Sequence, residues 1–285
     1  MFSVTSEQIK RFRNDGFLVV DRIIEDAQID ILYECFEKMF RGEFETGIRP
    51  DEVNWQEGTG DPTLTRQLCN GWKADRNIAD VVLREDLGKA ISELGGWPGA
   101  RIMVDNLLWK PPGSRSLAHH QDCAFLSWYQ PSDLLSCWIA LDDTYAESGT
   151  IEFVKGSHKW SHSVPEGEFH GPKDYRKYME LAAKKQGVDP EIVYVEVPKG
   201  HGSFHHGWTW HGSGPNYASL PRRSLVLHAM RSDTEYVPGR LHEGVGRIYS
   251  RYKRMADNVI DENYFPVLWS DDGYRTPMIK DYLIR

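Results

Sequence analysis

The chain has 285 residues, a formal net charge of -8 and a pI near 5.8, with 40% hydrophobic and 12% aromatic residues. That acidic balance gives no basic face for a phosphate backbone and speaks against nucleic acid as a partner, and no apolar run is long enough to cross a bilayer. Cys35, Cys69, Cys123 and Cys137 show no zinc-like spacing and read as reduced thiols; with no apolar leader in MFSVTSEQIKRFRNDG, the expected compartment is the cytoplasm.

A single domain is expected over 1–285, with a mostly helical part at 1–99. TSEQIKRFRNDG has a capping box, Thr5 with Gln8 three residues on, and Gly16 as a stop. EDAQIDILYECFEKMFRG places Ile29, Ile31, Leu32, Cys35, Phe36 and Phe40 near one helical face. The polar stretch after Gly42 reads as a long loop, and a third helix is predicted over about 77–95. From Ala100 the pattern changes to short β-type runs divided by turn signals, from RIMVDNLLWKPPG through DLLSCWIALDD to RRSLVLHAMRS. They predict an antiparallel sandwich or barrel over 100–232 with helices packed outside, a helical insert within 160–190 and a C-terminal extension over 233–285.

The segment SLAHHQDCAFLSWYQ carries the chemistry. Were it a strand, His120 and Asp122 would point the same way while His119 and Gln121 faced elsewhere. A third group arrives 91 positions beyond His120 as His211, at the end of the β-like run GSFHHGWTWHG, with Arg222 following eleven later. Two neutral imidazoles and one carboxylate on one face of a metal, with the remaining positions open, are the ligand set of non-haem Fe(II) oxygenases. His119, His205 and His206 are rival histidines, but neither of the last two stands eleven before an arginine. A 2-oxo acid filling the open positions needs a fixed cation for its far carboxylate. Arg222, with Ser224 on the same strand face, suits that work, whereas Arg223 should face away.

The order LWKPPG, HHQD, PSDLLSCWIALDD, SGTIEFVKGSHK and HGSGPNYASLPRRSLVLHAM resembles the phytanoyl-CoA dioxygenase family of Fe(II)- and 2-oxoglutarate-dependent oxygenases over roughly 100–232. The resemblance implies a mainly β fold with flanking helices around a double-stranded β-helix, a jelly-roll (cupin-like) core. By position it makes His120, Asp122 and His211 the metal ligands and Arg222 the grip on 2-oxoglutarate. It adds Asn106, Gln121 and Trp138 as further cosubstrate contacts. Two turns depart from the family pattern, Lys155-Gly156-Ser157-His158 and Gly200-His201, and neither touches a ligand position.

The expected activity is Fe(II)/2-oxoglutarate-dependent oxygenation with O2 as cosubstrate, hydroxylating an unactivated C–H bond of a small or medium-sized metabolite and releasing succinate and CO2. The alternatives are an acyl-CoA hydroxylase, a non-oxygenase metalloenzyme, and a sensor that binds 2-oxoglutarate or a metabolite without turnover. Lys155, Arg115, Arg231 and Arg240 are candidates to meet an anionic substrate group. One or more of Trp128, Tyr129, Trp208 and Trp210 is expected on the rim of the site. The sequence gives no oligomeric state.

Overall fold

The computed structural model describes residues 1–164 and 166–283. Helix α1 (Ser6–Asp15) starts at the Thr5–Gln8 capping box and stops at Gly16, whose φ of 84° favours glycine. A Cβ there would also lie 2.3 Å from Nδ1 of His158. The chain runs on into β1 (Phe17–Val20), then α2 (Asp26–Phe40), which buries Ile29, Leu32, Cys35, Phe36, Met39 and Phe40 but leaves Ile31 49% exposed. The stretch expected as a loop carries β2 (Glu52–Val53), and β3 (Arg66–Cys69) follows. The helix expected over 77–95 is two, α3 (Arg76–Val82) and α4 (Glu85–Gly95). Arg84 breaks it with an extended backbone, and its guanidinium bonds Ile23 O and Asp86. The N-terminal third thus adds strands to the main sheet, beyond its expected helices; β1 is too short to show a period and gains its hydrogen bonds from a strand far along the chain.

Next come β4 (Gly99–Lys110), β5 (Leu117–His120), β6 (Tyr129–Gln130), β7 (Leu134–Ala140) and β8 (Ile151–Val154). The insert holds α5 (Lys177–Gln186), followed by β9 (Ile192–Tyr194), β10 (Gly202–His206), β11 (His211–Ser213) and β12 (Arg222–Arg231). The extension adds β13 (Glu235–Tyr236), α6 (Gly246–Tyr249), β14 (Val267–Ser270) and α7 (Ile279–Tyr282). The major sheet has the order β1-β10-β7-β12-β4-β3-β2, with β14 also on β4, and the minor sheet is β5-β11-β8-β9. All of these pairings are antiparallel.

Strand alternation divides the major sheet into two faces of different chemistry. Leu107, Leu135, Cys137, Ile139, Leu225 and Leu227 pack against the helices. The opposite face carries Trp138, Ala140 and Val226, which meet Ile151, Phe153, Val195 and Val197 of the minor-sheet side. Two sheets closing on a shared interior make a jelly-roll-like double-stranded β-helix with flanking helices. The polar inward positions of the major sheet lie in this interior.

Candidate active site

The site begins with one register pair. His120 ends β5 directly opposite His211, which opens β11, and their rings are 4.2 Å apart. Each Nδ1 lies 2.9 Å from a backbone carbonyl two residues earlier, Ala118 O for His120 and Thr209 O for His211. A carbonyl only accepts, so the ring proton sits on Nδ1 and the Nε2 lone pair points inward.

Asp122 is not on the strand as expected; β5 stops at His120, and Asp122 opens a 3-10 turn, Asp122–Phe125. Two further strand residues would have carried the carboxylate roughly 6.6 Å along the strand. The turn instead brings Oδ1 to 3.2 Å from His120 Nε2 and 3.5 Å from His211 Nε2. One donor atom from each of the three residues lies within 4.8 Å of the others.

Behind Asp122 stand three groups that the sequence reading missed or set aside. Ser136 donates to Oδ2 at 3.2 Å, His205 Nε2 lies at 3.4 Å and His228 Nδ1 at 3.6 Å from the same oxygen. One proton arrangement satisfies the chain: Asn106 Nδ2 donates to His228 Nε2 (3.1 Å), His228 Nδ1 donates to Ser136 (2.6 Å), and Ser136 donates to Asp122. His228 was legible in principle, since Arg222, Ser224, Val226 and His228 alternate onto one face of β12. His205 carried no such signal, because β10 and β7 pair only in the fold.

Burial drives His211 well below its ordinary pKa and His228 to about 4, so both imidazoles are neutral near pH 7. Burial also works to raise Asp122, but His211, His120, His205 and His228 outweigh it and hold the carboxyl well below its usual range. A neutral His211 and an ionised Asp122 are the protonation states that a divalent metal requires of them. The donor set fits Fe(II) with one face left open.

A narrow cavity of about 70 Å³ runs from the triad past Asn106, Trp138 and Ser213 to Arg222. Arg222 is 2% exposed; Nε and Nη2 bond Gly149 O at 3.2 and 2.6 Å, Nη1 bonds Ser224 Oγ at 3.0 Å, and the guanidinium lies 5.8 Å from the Trp138 ring. Ser224 therefore holds the arginine. Burial lowers the guanidinium to about 10, and among the described residues it makes no ion pair. Opposite it in the β4–β12 register is Lys110, also missed, bonded to Arg115 O (2.9 Å) and Ser213 Oγ (3.2 Å) and driven well below its usual range by burial. Its signal was its parity with Asn106 on β4. A buried arginine at the closed end of a cavity that starts at a metal-ligand triad fits a dicarboxylate: one end chelated, the other gripped.

Arg223 faces the other way and pairs with Asp142. Gln121 departs from expectation. Its amide donates to Trp208 O at 2.6 Å and accepts from Ser163 N at 2.9 Å, so both ends are used away from the cavity. Alternation between His120 and Asp122 turns it outward. His119 likewise turns away, to Glu152 at 3.1 Å. Trp128, Tyr129, Trp208 and Trp210 do not line the cavity above the triad; Phe125 and Phe169 do. Lys155, Arg115 and Arg231 are paired outside the site with Glu191, Asp61 and Asp233. Arg240 lies in a 3-10 turn and does not line the cavity.

The fold and the site together define a non-haem Fe(II)/2-oxoglutarate-dependent dioxygenase. The sequence profile of the phytanoyl-CoA dioxygenase (PhyH) family matches residues 12–224, and the chain belongs to that family. It is 27% identical to peroxisomal phytanoyl-CoA dioxygenase of Homo sapiens over 82% of this chain and 70% of the relative. It is 24% identical to the ectoine dioxygenase of Bordetella bronchiseptica over 79% of this chain and 75% of the relative. Among solved structures, SnoK, a non-haem α-ketoglutarate-dependent carbocyclase from nogalamycin biosynthesis, shares the fold with a TM-score of 0.70, covering 93% of this chain and 96% of its own at 24% identity. Among the described residues, no helix is long and apolar enough to cross a membrane.

Proposed function

We propose that this dioxygenase hydroxylates an unactivated C–H bond of a small metabolite, with His120, Asp122 and His211 holding Fe(II) and Arg222 holding the distal carboxylate of 2-oxoglutarate. The balance is R–H, 2-oxoglutarate and O2 giving R–OH, succinate and CO2. The observation that carries the reading is the division of space around the triad. The narrow cavity ending at Arg222 takes the cosubstrate, and a wider cleft of about 280 Å³ opens on the other side of His120 and Asp122 for the molecule to be oxidised.

When bound, Fe(II) supplies dioxygen activation coupled to decarboxylation of 2-oxoglutarate, chemistry that side chains lack. The chain's residues do the rest. Ser136 and His228 keep the Asp122 carboxylate oriented and ionised. Lys110 and Ser224 preset the far end of the cosubstrate cavity, so the dicarboxylate meets a polar cradle already organised. Phe125 and Phe169 close apolar surface over His120, limiting water beside the reacting carbon.

An acyl-CoA substrate, suggested by the name of the human relative, finds less support. Among the described residues, no lysine or arginine lines the cleft, and its volume suits a metabolite more than a coenzyme thioester. A zinc hydrolase or isomerase would have no use for a buried, anion-free Arg222. A non-catalytic sensor would have no use for an open coordination face beside a substrate cleft.

An anaerobic titration of metal-free protein with Fe(II) and then 2-oxoglutarate tests the reading. A visible charge-transfer band should form and disappear in Arg222→Ala at the same ligand concentration. Folded, iron-loaded protein without a band would move the hydrolase or isomerase reading ahead.

A further inference from the structure

Among the described residues, the wider cleft has one carboxylate that the dioxygenase chemistry leaves unused. Glu52, on β2, lines it together with Cys69, Asn106 and the triad residues His120 and Asp122. The strand registers place Glu52 opposite Cys69 and Cys69 opposite Asn106, so the three form one row across the inner face of the major sheet. Two inter-strand steps, roughly 10 Å of backbone, separate Glu52 from Asn106, the residue that borders both cavities.

The neighbouring acid shows how unusual Glu52 is. Asp51 points the other way and is neutralised by Lys73 at 2.9 Å and Arg251 at 2.7 Å. Glu52 is half-buried, accepts a hydrogen bond from Tyr249 Oη at 2.8 Å, and has no ion-pair partner among the described residues. Burial pushes its carboxyl up, and the Tyr249 hydrogen bond offsets only part of that. A half-buried carboxylate facing a cleft without a cation is costly unless a ligand supplies one. Among the described residues, no lysine or arginine lines that cleft to attract an anion.

We propose that Glu52 is the specificity-determining residue of the substrate cleft and that the substrate is a cationic amine, its ammonium seated against Glu52 and the carbon to be oxidised at the triad residues that line the same cleft. Phe125, Leu126 and Phe169 enclose the apolar frame between the two ends. This assignment rests on the dioxygenase reading for its oxidised end, but the ammonium site can be tested apart from turnover.

The test uses the full chain loaded anaerobically with Fe(II) and 2-oxoglutarate. Three probes of one length and different charge, hexylamine, hexan-1-ol and hexanoate, are titrated by calorimetry. Hexylamine should bind at least about tenfold tighter than hexan-1-ol, the value of one charge-assisted contact, and hexanoate weakest of the three. In Glu52→Gln the amine preference should vanish while the charge-transfer band of 2-oxoglutarate stays unchanged. Equal affinity for amine and alcohol, tighter binding of hexanoate, no binding of hexylamine at millimolar concentration, or a preference that survives in Glu52→Gln would each overturn the proposal. Should Glu52→Gln not fold, discrimination among the probes by the wild-type chain decides alone. A missing charge-transfer band in the wild type would count against the dioxygenase reading, separately from the amine site.

Discussion

His120 and His211 face each other across the β5–β11 pairing with ring centroids 4.2 Å apart, each oriented by a carbonyl two residues upstream. Sheet register therefore fixes two of the three donors, and only Asp122 depends on a turn. A rigid pair with one adjustable carboxylate keeps the donor atoms in place before metal arrives.

Loss of a donor should differ sharply from loss of a supporting group. His120→Ala and Asp122→Ala are expected to retain no Fe(II) after dialysis. His228→Ala should still bind iron, with an affinity weaker by roughly 10–100-fold, because it orients Asp122 through Ser136 without supplying a donor. Metal analysis of the dialysed proteins measures both effects; full iron content in both donor variants would refute the triad.

The two adjacent arginines should separate cosubstrate binding from stability. Arg222→Ala removes the buried cation at the end of the narrow cavity and should weaken 2-oxoglutarate by roughly 2–4 kcal/mol. Arg223→Ala should leave that affinity intact and cost roughly 1–3 kcal/mol of stability, since Arg223 forms a two-point pair with Asp142 and covers the Tyr33 ring at 3.7 Å. Titration of the charge-transfer band and urea denaturation read the two quantities. The opposite assignment would mean that β12 is offset by one residue.

The same contrast shows what the sequence could disclose. Arg222 and Arg223 were separable because β12 alternates and its inner face carries polar residues at regular steps. The triad was legible because HHQD and the distant histidine carry ligand chemistry in themselves. Glu52 and His205 were not: Glu52 lies on a two-residue strand too short to show a period, His205 on a strand whose partners are far away in sequence, and neither has a motif. Asp122 was placed on the wrong element for a related reason, since period-two alternation does not show where a strand ends. Gln121 was misjudged because family position speaks for the backbone site, whereas its amide is spent on Trp208 and Ser163.

Acid should destabilise the fold through histidines outside the metal site. Burial lowers His158 and His206 from 6.5 to about 4 in the folded chain. The unfolded chain therefore takes up these protons first, near pH 6.5. Their contribution is fully present above that pH and is lost as pH falls toward 4. Burial of both rings underlies it, and at His206 the Trp208 amide donates to Nδ1 at 3.1 Å, an acceptor that protonation removes; the bond from His158 Nε2 to Arg13 O at 3.1 Å works the other way and offsets only part of the burial. Denaturant midpoints at pH 7 and pH 5 should fall, and His206→Gln should flatten the decline. A midpoint unchanged between the two pH values would contradict this account.

Glu152 should tie the insert to the barrel. It lies on β8 with a 2% exposed side chain and gathers His119 from β5 at 3.1 Å, Tyr175 Oη at 3.0 Å, and Arg176 Nε and Nη2 at 2.9 and 2.7 Å. Burial acts to raise its carboxyl, and His119 and Arg176 outweigh that to hold it below its usual range. Tyr175 and Arg176 immediately precede α5, so one carboxylate joins the minor sheet to the helical insert. Glu152→Ala would strand these partners in a dry environment and should cost about 3–5 kcal/mol. Amide exchange in α5 should then quicken more than exchange in β12, on the far sheet. Equal quickening in both would show that Glu152 supports the whole barrel and has no particular hold on the insert; unchanged exchange in α5 would leave Met179 and Ala183, its buried apolar residues, as the sufficient anchor.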